Sequence, residues 1–344
     1  MGSWRDRATS TAAVFPSPSP GTRNGEEAVS AAGEVHVVHL VRHGNPPESL
    51  ERFLDSYRRL DAGVAHRLVL LCKGFPSQAA LKPILAALDG VASSALQVPD
   101  DGFDLTAYRR AAEHLDGALC FLNSNSVLLA PRWLEHLVAA LSPSVGIAGA
   151  TGSWNGGRSN ICYSLRLPGA YSEVFPDRSW YREQSRRLGR DSGARDPRLT
   201  SRPPLRYVRT ASEMMRYYTG FRPFPAPHVR TNAFVIRSET MRRLAFRPLR
   251  SKMRAWRLES GRGSITEQIA SMGLDAVVVG RGGELFASAE WPQSETFWQS
   301  DQENLLVADN QTETYAQADL ELRTLLAGVA WGLLARPTSP ADRV

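Results

Sequence analysis

An apolar run, Val37-Val38-His39-Leu40-Val41, ends in Arg42-His43-Gly44-Asn45. A strand that delivers an imidazole at its tip could serve phosphoryl transfer, with His43 accepting the phosphate. That chemistry needs more than one ring. A second His and an Arg must hold the phosphoryl oxygens, and an acid must protonate the leaving group. The other histidines are His36, His39, His66, His114, His136 and His228, and none both follows an apolar run and precedes a Gly. Asn45 is followed at once by Pro46 and Pro47. A phosphotransferase acting through His43 is therefore the lesser reading, and the plainer one is a first strand leaving its sheet.

Other polar groups stand at the ends of further apolar runs. Lys73-Gly74 closes HRLVLLCKGF, Asp100-Asp101 closes SALQVPDDG, and Asn123-Ser124-Asn125-Ser126 interrupts ALCFLNSNSVLL. The segments between them read as helices. PPESLERFLDSYRRL places Leu50, Phe53, Leu54 and Tyr57 on one face, with prolines at its start. QAALKPILAALDG is interrupted by Pro83, and DLTAYRRAAEHLDG has Asp104 where an N-cap is expected. APRWLEHLVAALS follows, then the strand VGIAGATGSW with a Gly-rich exit. This alternation with short links predicts an α/β fold with a mostly parallel sheet flanked by helices. In such sheets ligands sit at the carboxyl ends of the strands, where the polar groups are.

The chain has 344 residues, 42% of them hydrophobic and 22% charged, with a net charge of +6. That composition sustains a sizeable core, and the basic balance suits an anionic ligand such as a nucleotide. Cys72, Cys120 and Cys162 form no C-x-x-C pair and read as free thiols of a reducing compartment. No apolar run approaches the ~20 residues that span a bilayer, and the first residues lack a continuous apolar stretch. The expected setting is cytoplasmic. Residues 1–33 are rich in Ser, Pro, Gly, Ala and Thr and read as a disordered tail. Residues 34–290 hold the α/β domain, with a basic insertion over about 155–225, and residues 291–344 form an extension with a last helix. From Arg178 to Arg222 there are twelve Arg against four acids. That segment reads as a solvated insertion or as a flap over an anionic substrate or a membrane surface.

In this order the motifs resemble the family 2-like glycosyltransferases of the GT-A fold. The resemblance rests on the LVRHGN strand end, DGFDLTAYRRAAEHLDG, FLNSNSVLLAPRWLEHLVAAL, RTNAFVIRSETM and ESGRGSITEQIASMGLDAVVVG, over roughly residues 34–285. It implies transfer of a sugar from a nucleotide-sugar donor to a saccharide or lipid-linked acceptor, with an inverting outcome. A non-catalytic sugar-nucleotide or glycan binding module is the alternative; a nucleic acid partner is not expected.

The resemblance also implies residue roles. Val41 and Arg42 fall where the nucleotide base is contacted, Asp104 where a carboxylate meets the nucleotide, and Lys73 is either a contact to the diphosphate or the base or only a solvated loop lysine. Asn123, Ser124, Asn125 and Ser126 stand where the family places Asp-x-Asp around a divalent cation. Neutral oxygens are poor ligands for Mg²⁺ or Mn²⁺. No residue is assigned as a metal ligand, and Asn125 is the remaining candidate for weak use of either ion. On the acceptor side a carboxylate must take the proton of the attacking hydroxyl. Glu259 is the expected base and Glu267 the second choice. Glu259 also has a bland reading, as a carboxylate near a helix start. Arg262 is expected to pair a phosphate or orient Glu259, His228 and Asn232 to line the acceptor pocket, and Trp291 and Trp298 either to offer a stacking platform for a sugar or to sit in the core.

Overall fold

A computed structural model describes residues 33–164, 171–188 and 212–338, apart from positions 89, 92, 176 and 213. The expected N-terminal tail and much of the basic insertion lie outside the described residues.

The chain opens with β1 (Val35–Arg42), whose side chains are buried except at Arg42. Helix α1 (Pro47–Arg59) follows with Pro46 at its cap position, and it buries Leu50, Phe53 and Leu54. Then come β2 (Arg67–Lys73), α2 (Gln78–Ala86, capped by Ser77) and β3 (Ser93–Val98). Helix α3 (Asp104–His114) leads into β4 (Ala118–Leu122) and the short β5 (Val127–Leu128). Helix α4 (Trp133–Ala139) and β6 (Val145–Gly149) continue the alternation. After β7 (Gly152–Ser153) the rhythm breaks into α5 (Gly157–Ser164), α6 (Tyr171–Val174) and α7 (Arg178–Arg187).

The chain returns through β8 (His228–Val229) to β9 (Ala233–Arg237) and α8 (Ser238–Arg243). Helices α9 (Lys252–Ser260) and α10 (Ile265–Ser271) precede β10 (Asp275–Val279) and β11 (Leu285–Phe286). The end of the chain adds β12 (Val307–Ala308), α11 (Asn310–Gln317) and α12 (Leu320–Trp331).

One eight-stranded sheet has the order β11-β10-β6-β9-β4-β1-β2-β3. The pairs β1–β2, β2–β3, β1–β4 and β10–β6 are parallel. Strand β9 lies antiparallel between β4 and β6. The mostly parallel α/β sheet expected from the sequence is therefore present. Its alternating side chains feed two cores. Val37, Leu70, Cys120 and Val235 face α1 and α4, while Val38, Leu71, Phe121 and Phe234 face α3 and α12. Trp291, Trp298, Leu326 and Trp331 belong to that second core. The described residues after 290 thus pack into the body of the domain.

Candidate active site

The carboxyl ends of β1, β2, β3, β4, β6 and β10 share one rim, and β9, running the other way, begins there. Arg42 is exposed at this rim, 3.9 Å from the Asp104 carboxylate. Asp104 is not the N-cap of α3, as its sequence position suggests. Phe103 holds the cap position without a side-chain hydrogen bond, and Asp104 is the first helical residue. There a carboxylate still meets the positive end of the helix. Val41 is buried.

Lys73 corrects the sequence reading on both counts. Its side chain is 2% exposed, so it is no solvated loop lysine. Nor is its amino group open to a diphosphate. Nζ lies 2.6 Å from Asp100 Oδ1 and donates to the Gly102 carbonyl at 2.6 Å. It fastens the turn into α3. The hydrogen bond from Lys73 holds the Asp100 carboxyl below its ordinary range.

The Asn-Ser-Asn-Ser stretch folds on itself. Asn123 Oδ1 accepts the Asn125 N–H at 2.9 Å and the Ser126 hydroxyl at 3.1 Å. Ser124 and Ser126 are buried and Asn125 is half-buried. A divalent cation does not suit this donor set. The oxygens are neutral, and Asn123 Oδ1 already accepts two hydrogen bonds within its own turn. Among the described residues no group of three His, Cys, Asp or Glu is placed to hold a metal.

Glu259 lies in the last turn of α9, a helix capped by Ser251 and ended by Gly261. The bland reading, a carboxylate at a helix start, therefore fails. This end of a helix is negative and disfavours a carboxylate. Glu259 is held instead by Thr231, whose hydroxyl donates to Oε1 at 2.9 Å and whose backbone N–H donates to the same atom at 3.3 Å.

Thr231 stands on a short segment pinned at both flanks. On one side Arg230 is buried. Its guanidinium donates to Asp309 at 2.8 Å and to the Thr151 hydroxyl at 3.2 Å, and lies 4.0 Å from the centre of the Phe297 ring. On the other side the Asn232 carbonyl accepts the Asn123 N–H at 2.8 Å, and Asn232 Oδ1 accepts the Thr151 hydroxyl at 2.7 Å. His228 is buried close by, with Nδ1 donating to the Ala226 carbonyl at 3.0 Å. Burial lowers its pKa below the ordinary 6.5, against the opposing pull of the Glu259 carboxylate. Burial raises the pKa of the Tyr108 phenol, and the charges of Asp104 and Glu259 add to the effect. The Tyr108 hydroxyl and Asn232 Nδ2 are buried donors without a partner among the described residues.

The fold thus brings Asn123, Asn125, His228, Asn232 and Glu259 to one rim, with Arg42 and Asp104 at the mouth of β1. Other expected residues stand apart. Glu267 pairs with Arg222 and accepts the Gly263 N–H at 2.9 Å, which closes the turn before α10. Arg262 is exposed, and its backbone N–H bonds to Gly220. Trp291 and Trp298 are 0% and 2% exposed, so neither offers a face to a sugar. Trp291 lies over Gly152, where a Cβ would come within 2.7 Å of its ring, and Trp298 stacks on Phe297 at 4.3 Å. His43 is exposed with its ring edge on Phe75, while His39, the nearest histidine in sequence, is buried against Phe53. No second imidazole joins His43 among the described residues.

Thr231, Thr151, Arg230 and Asp309 were not picked out by sequence reasoning. Thr231 sits in the RTNAFVI motif, but its partner is 28 positions away.

No protein family profile matches the chain, and no curated protein matches it. Solved structures are similar at low identity. A mannosyltransferase from Pyrobaculum calidifontis, in complex with GDP-Man and Mn²⁺, matches at 17% identity and a TM-score of 0.27, over 34% of each chain. The similarity therefore spans about a third of that enzyme's length. A glucosyl-3-phosphoglycerate synthase from Mycobacterium tuberculosis, in complex with Mn²⁺, UDP and phosphoglyceric acid, matches at 17% identity and a TM-score of 0.39, over 76% of this chain and 74% of that one.

Proposed function

We propose that the chain is a glycosyltransferase that moves a sugar from a nucleotide-sugar donor to a hydroxyl acceptor, with inversion, and that Glu259 is the base. One observation carries this reading. A carboxylate stands at the binding rim of an α/β sheet, in the turn of a helix that disfavours it, held through one oxygen by Thr231. Among the described residues no hydrogen bond engages its second oxygen, which is the atom left to take a proton. A sugar hydroxyl ionises far above neutral pH, so its attack needs that proton removed as the new bond forms. The proton goes to Glu259, the hydroxyl oxygen bonds to the anomeric carbon, and the nucleoside diphosphate leaves with the electron pair of the broken bond.

The nucleotide is assigned to the mouth of β1, between Arg42 and Asp104. Arg42 is the exposed cation there and meets the charge of the leaving diphosphate. A divalent ion would find neutral oxygens at Asn123 and Asn125, so no step is assigned to one. The acceptor is assigned to the side of Glu259, His228 and Asn232, and a saccharide or a lipid-linked saccharide fits the proposal.

The test is incubation with a panel of UDP- and GDP-sugars and simple sugar acceptors, following release of nucleoside diphosphate. Glu259→Gln should bind nucleotide as wild type does and lose transfer. The second reading, a binding module without catalysis, is favoured by the missing carboxylates at Asn123–Ser126. Nucleotide binding with no release from any donor would establish it.

A further inference from the structure

The described part of the segment expected to be cationic is largely spent on internal contacts. Arg187 pairs with Asp319 and Glu321, Arg186 pairs with Glu183, and the Arg178 guanidinium lies 5.2 Å from the Tyr163 ring centre. A different stretch keeps its charge free. Between Arg243 and Arg262 the only acid is Glu259. Arg243, Arg247, Arg250, Arg254, Arg257 and Arg262 are all exposed, and among the described residues none pairs with a carboxylate. The stretch runs along the end of α8, the loop after it, α9 and the turn beyond.

We infer that this strip is a docking surface for an anionic lipid membrane. Three observations favour a lipid surface over a single phosphate or a nucleic acid. First, the cations are spread along the chain over the end of one helix, a loop, a second helix and the turn after it. Helix α9 alone is roughly 13 Å long at 1.5 Å per residue, and a lone phosphate would use two or three guanidinium groups around one point. Second, the segment packed on α9 carries exposed apolar and amphipathic side chains. Tyr217 and Phe221 pack on Trp256 of α9 at 5.7 and 4.9 Å between ring centres, which seats residues 214–221 against that helix. From the same segment Met215 and Tyr218 are 61% and 41% exposed, with the Arg158 guanidinium 3.8 Å from the Tyr218 ring centre. Apolar and amphipathic side chains beside arginines suit the boundary between headgroups and acyl chains, and duplex phosphates offer them nothing. Third, the geometry of α9 separates its two tasks. At 100° per residue Arg254 and Arg257 lie about 140–160° around the helix from Glu259. The helix can rest its outer face on a charged surface while its inner face stays with the rim. The inference stands whether or not Glu259 is a base.

The test uses the full chain and vesicles of phosphatidylcholine with or without phosphatidylserine, read by co-sedimentation. Wild type should bind the anionic vesicles and leave the neutral ones. Each cation near such a surface strengthens binding about fivefold, so Arg247→Glu, Arg250→Glu and Arg254→Glu together should weaken it at least ~100-fold. The milder set Arg247→Gln, Arg250→Gln and Arg254→Gln should weaken it by less, and Lys82→Glu on α2 should leave it unchanged. High salt should release the protein, because the screening length falls from about 8 Å at physiological ionic strength to about 3 Å at 1 M. Circular dichroism checks that the variants are folded. Binding that survives both arginine sets, absence of binding to anionic vesicles, or tighter binding to a duplex oligonucleotide than to the vesicles overturns the inference. Loss of vesicle binding in folded variants upholds it.

Discussion

Thr231 donates twice to one oxygen of Glu259, through its hydroxyl at 2.9 Å and its backbone N–H at 3.3 Å. The backbone bond survives any side-chain change, so the hydroxyl can be tested alone. Thr231→Val keeps the shape and removes the donor. We expect turnover to fall by at least ~10-fold, the worth of a hydrogen bond to a charged group, with nucleotide affinity unchanged and Thr231→Ser close to wild type. Glu259→Gln should cost at least ~10²-fold, and Glu267→Gln should cost less. Steady-state kinetics on the four proteins decides it. Full activity in Glu259→Gln would move the base elsewhere.

Metal removal makes a second test. With neutral oxygens at Asn123 and Asn125, the affinity for UDP or GDP should change by less than about tenfold, ~1.4 kcal/mol, when EDTA is added. Calorimetric titration with and without chelator measures this. A hundredfold loss would show that carboxylates elsewhere in the chain hold a cation.

Asp309 and Arg230 form a buried pair with side chains 1% and 8% exposed. Removing one partner leaves the other charge buried and unpaired. Arg230→Ala or Asp309→Ala should each lower the unfolding free energy by about 3–5 kcal/mol, read from urea midpoints. Asp309 also accepts the Gln311 and Thr312 N–H groups at the start of α11, so its loss should be the larger. Near-wild-type midpoints for both would remove the pair from the account of how Thr231 is held.

His39 makes stability depend on pH. Its ring is stacked 3.8 Å from the Phe53 ring centre, and burial pushes its pKa down to about 3. The unfolded chain takes up that proton near pH 6.5 and the folded chain does not. The contribution is therefore complete above about 6.5 and is lost as pH falls toward about 3, at a slope of up to about 1.4 kcal/mol per pH unit. His36 and His228, also lowered by burial, act in the same direction. Urea unfolding at several acidic pH values should show the slope, and His39→Leu should flatten it. Parallel curves for the two proteins would refute the assignment.

The strands were legible because the sheet is buried on both faces, so VHVVHLV, RLVLLC and ALCFL read as continuous apolar runs. The rim was legible for the same reason, since polar residues stand where those runs stop. Lys73 was misread because its fate depends on Asp100, 27 positions on and across a strand. Helix α9 was not seen, since KMRAWRLES carries arginines on its outer face and a weak apolar stripe, and its start and stop rest on Ser251 and Gly261. Glu259 was therefore placed near the start of one helix when it ends another. Trp291 and Trp298 looked available because nothing local shows that the chain's end folds back over β7 and α11. Thr231 and Arg230 owe their importance to partners far away in sequence, which periodicity does not register.

The antiparallel course of β9 has an architectural consequence. Strand β6 leaves the sheet at the rim, and β9 re-enters it there with the Ala150 N–H bonded to the Ala233 carbonyl at 2.9 Å. The chain between them leaves and returns to the sheet at feet that stand side by side. Its described residues are tied to the scaffold along the way: the Tyr171 hydroxyl donates to the Val329 carbonyl at 2.6 Å, Arg187 pairs with Asp319, and Arg230 pairs with Asp309. The returning foot carries His228, Arg230 and Thr231, so a change in the length of this excursion would reach the rim through the segment that holds Glu259.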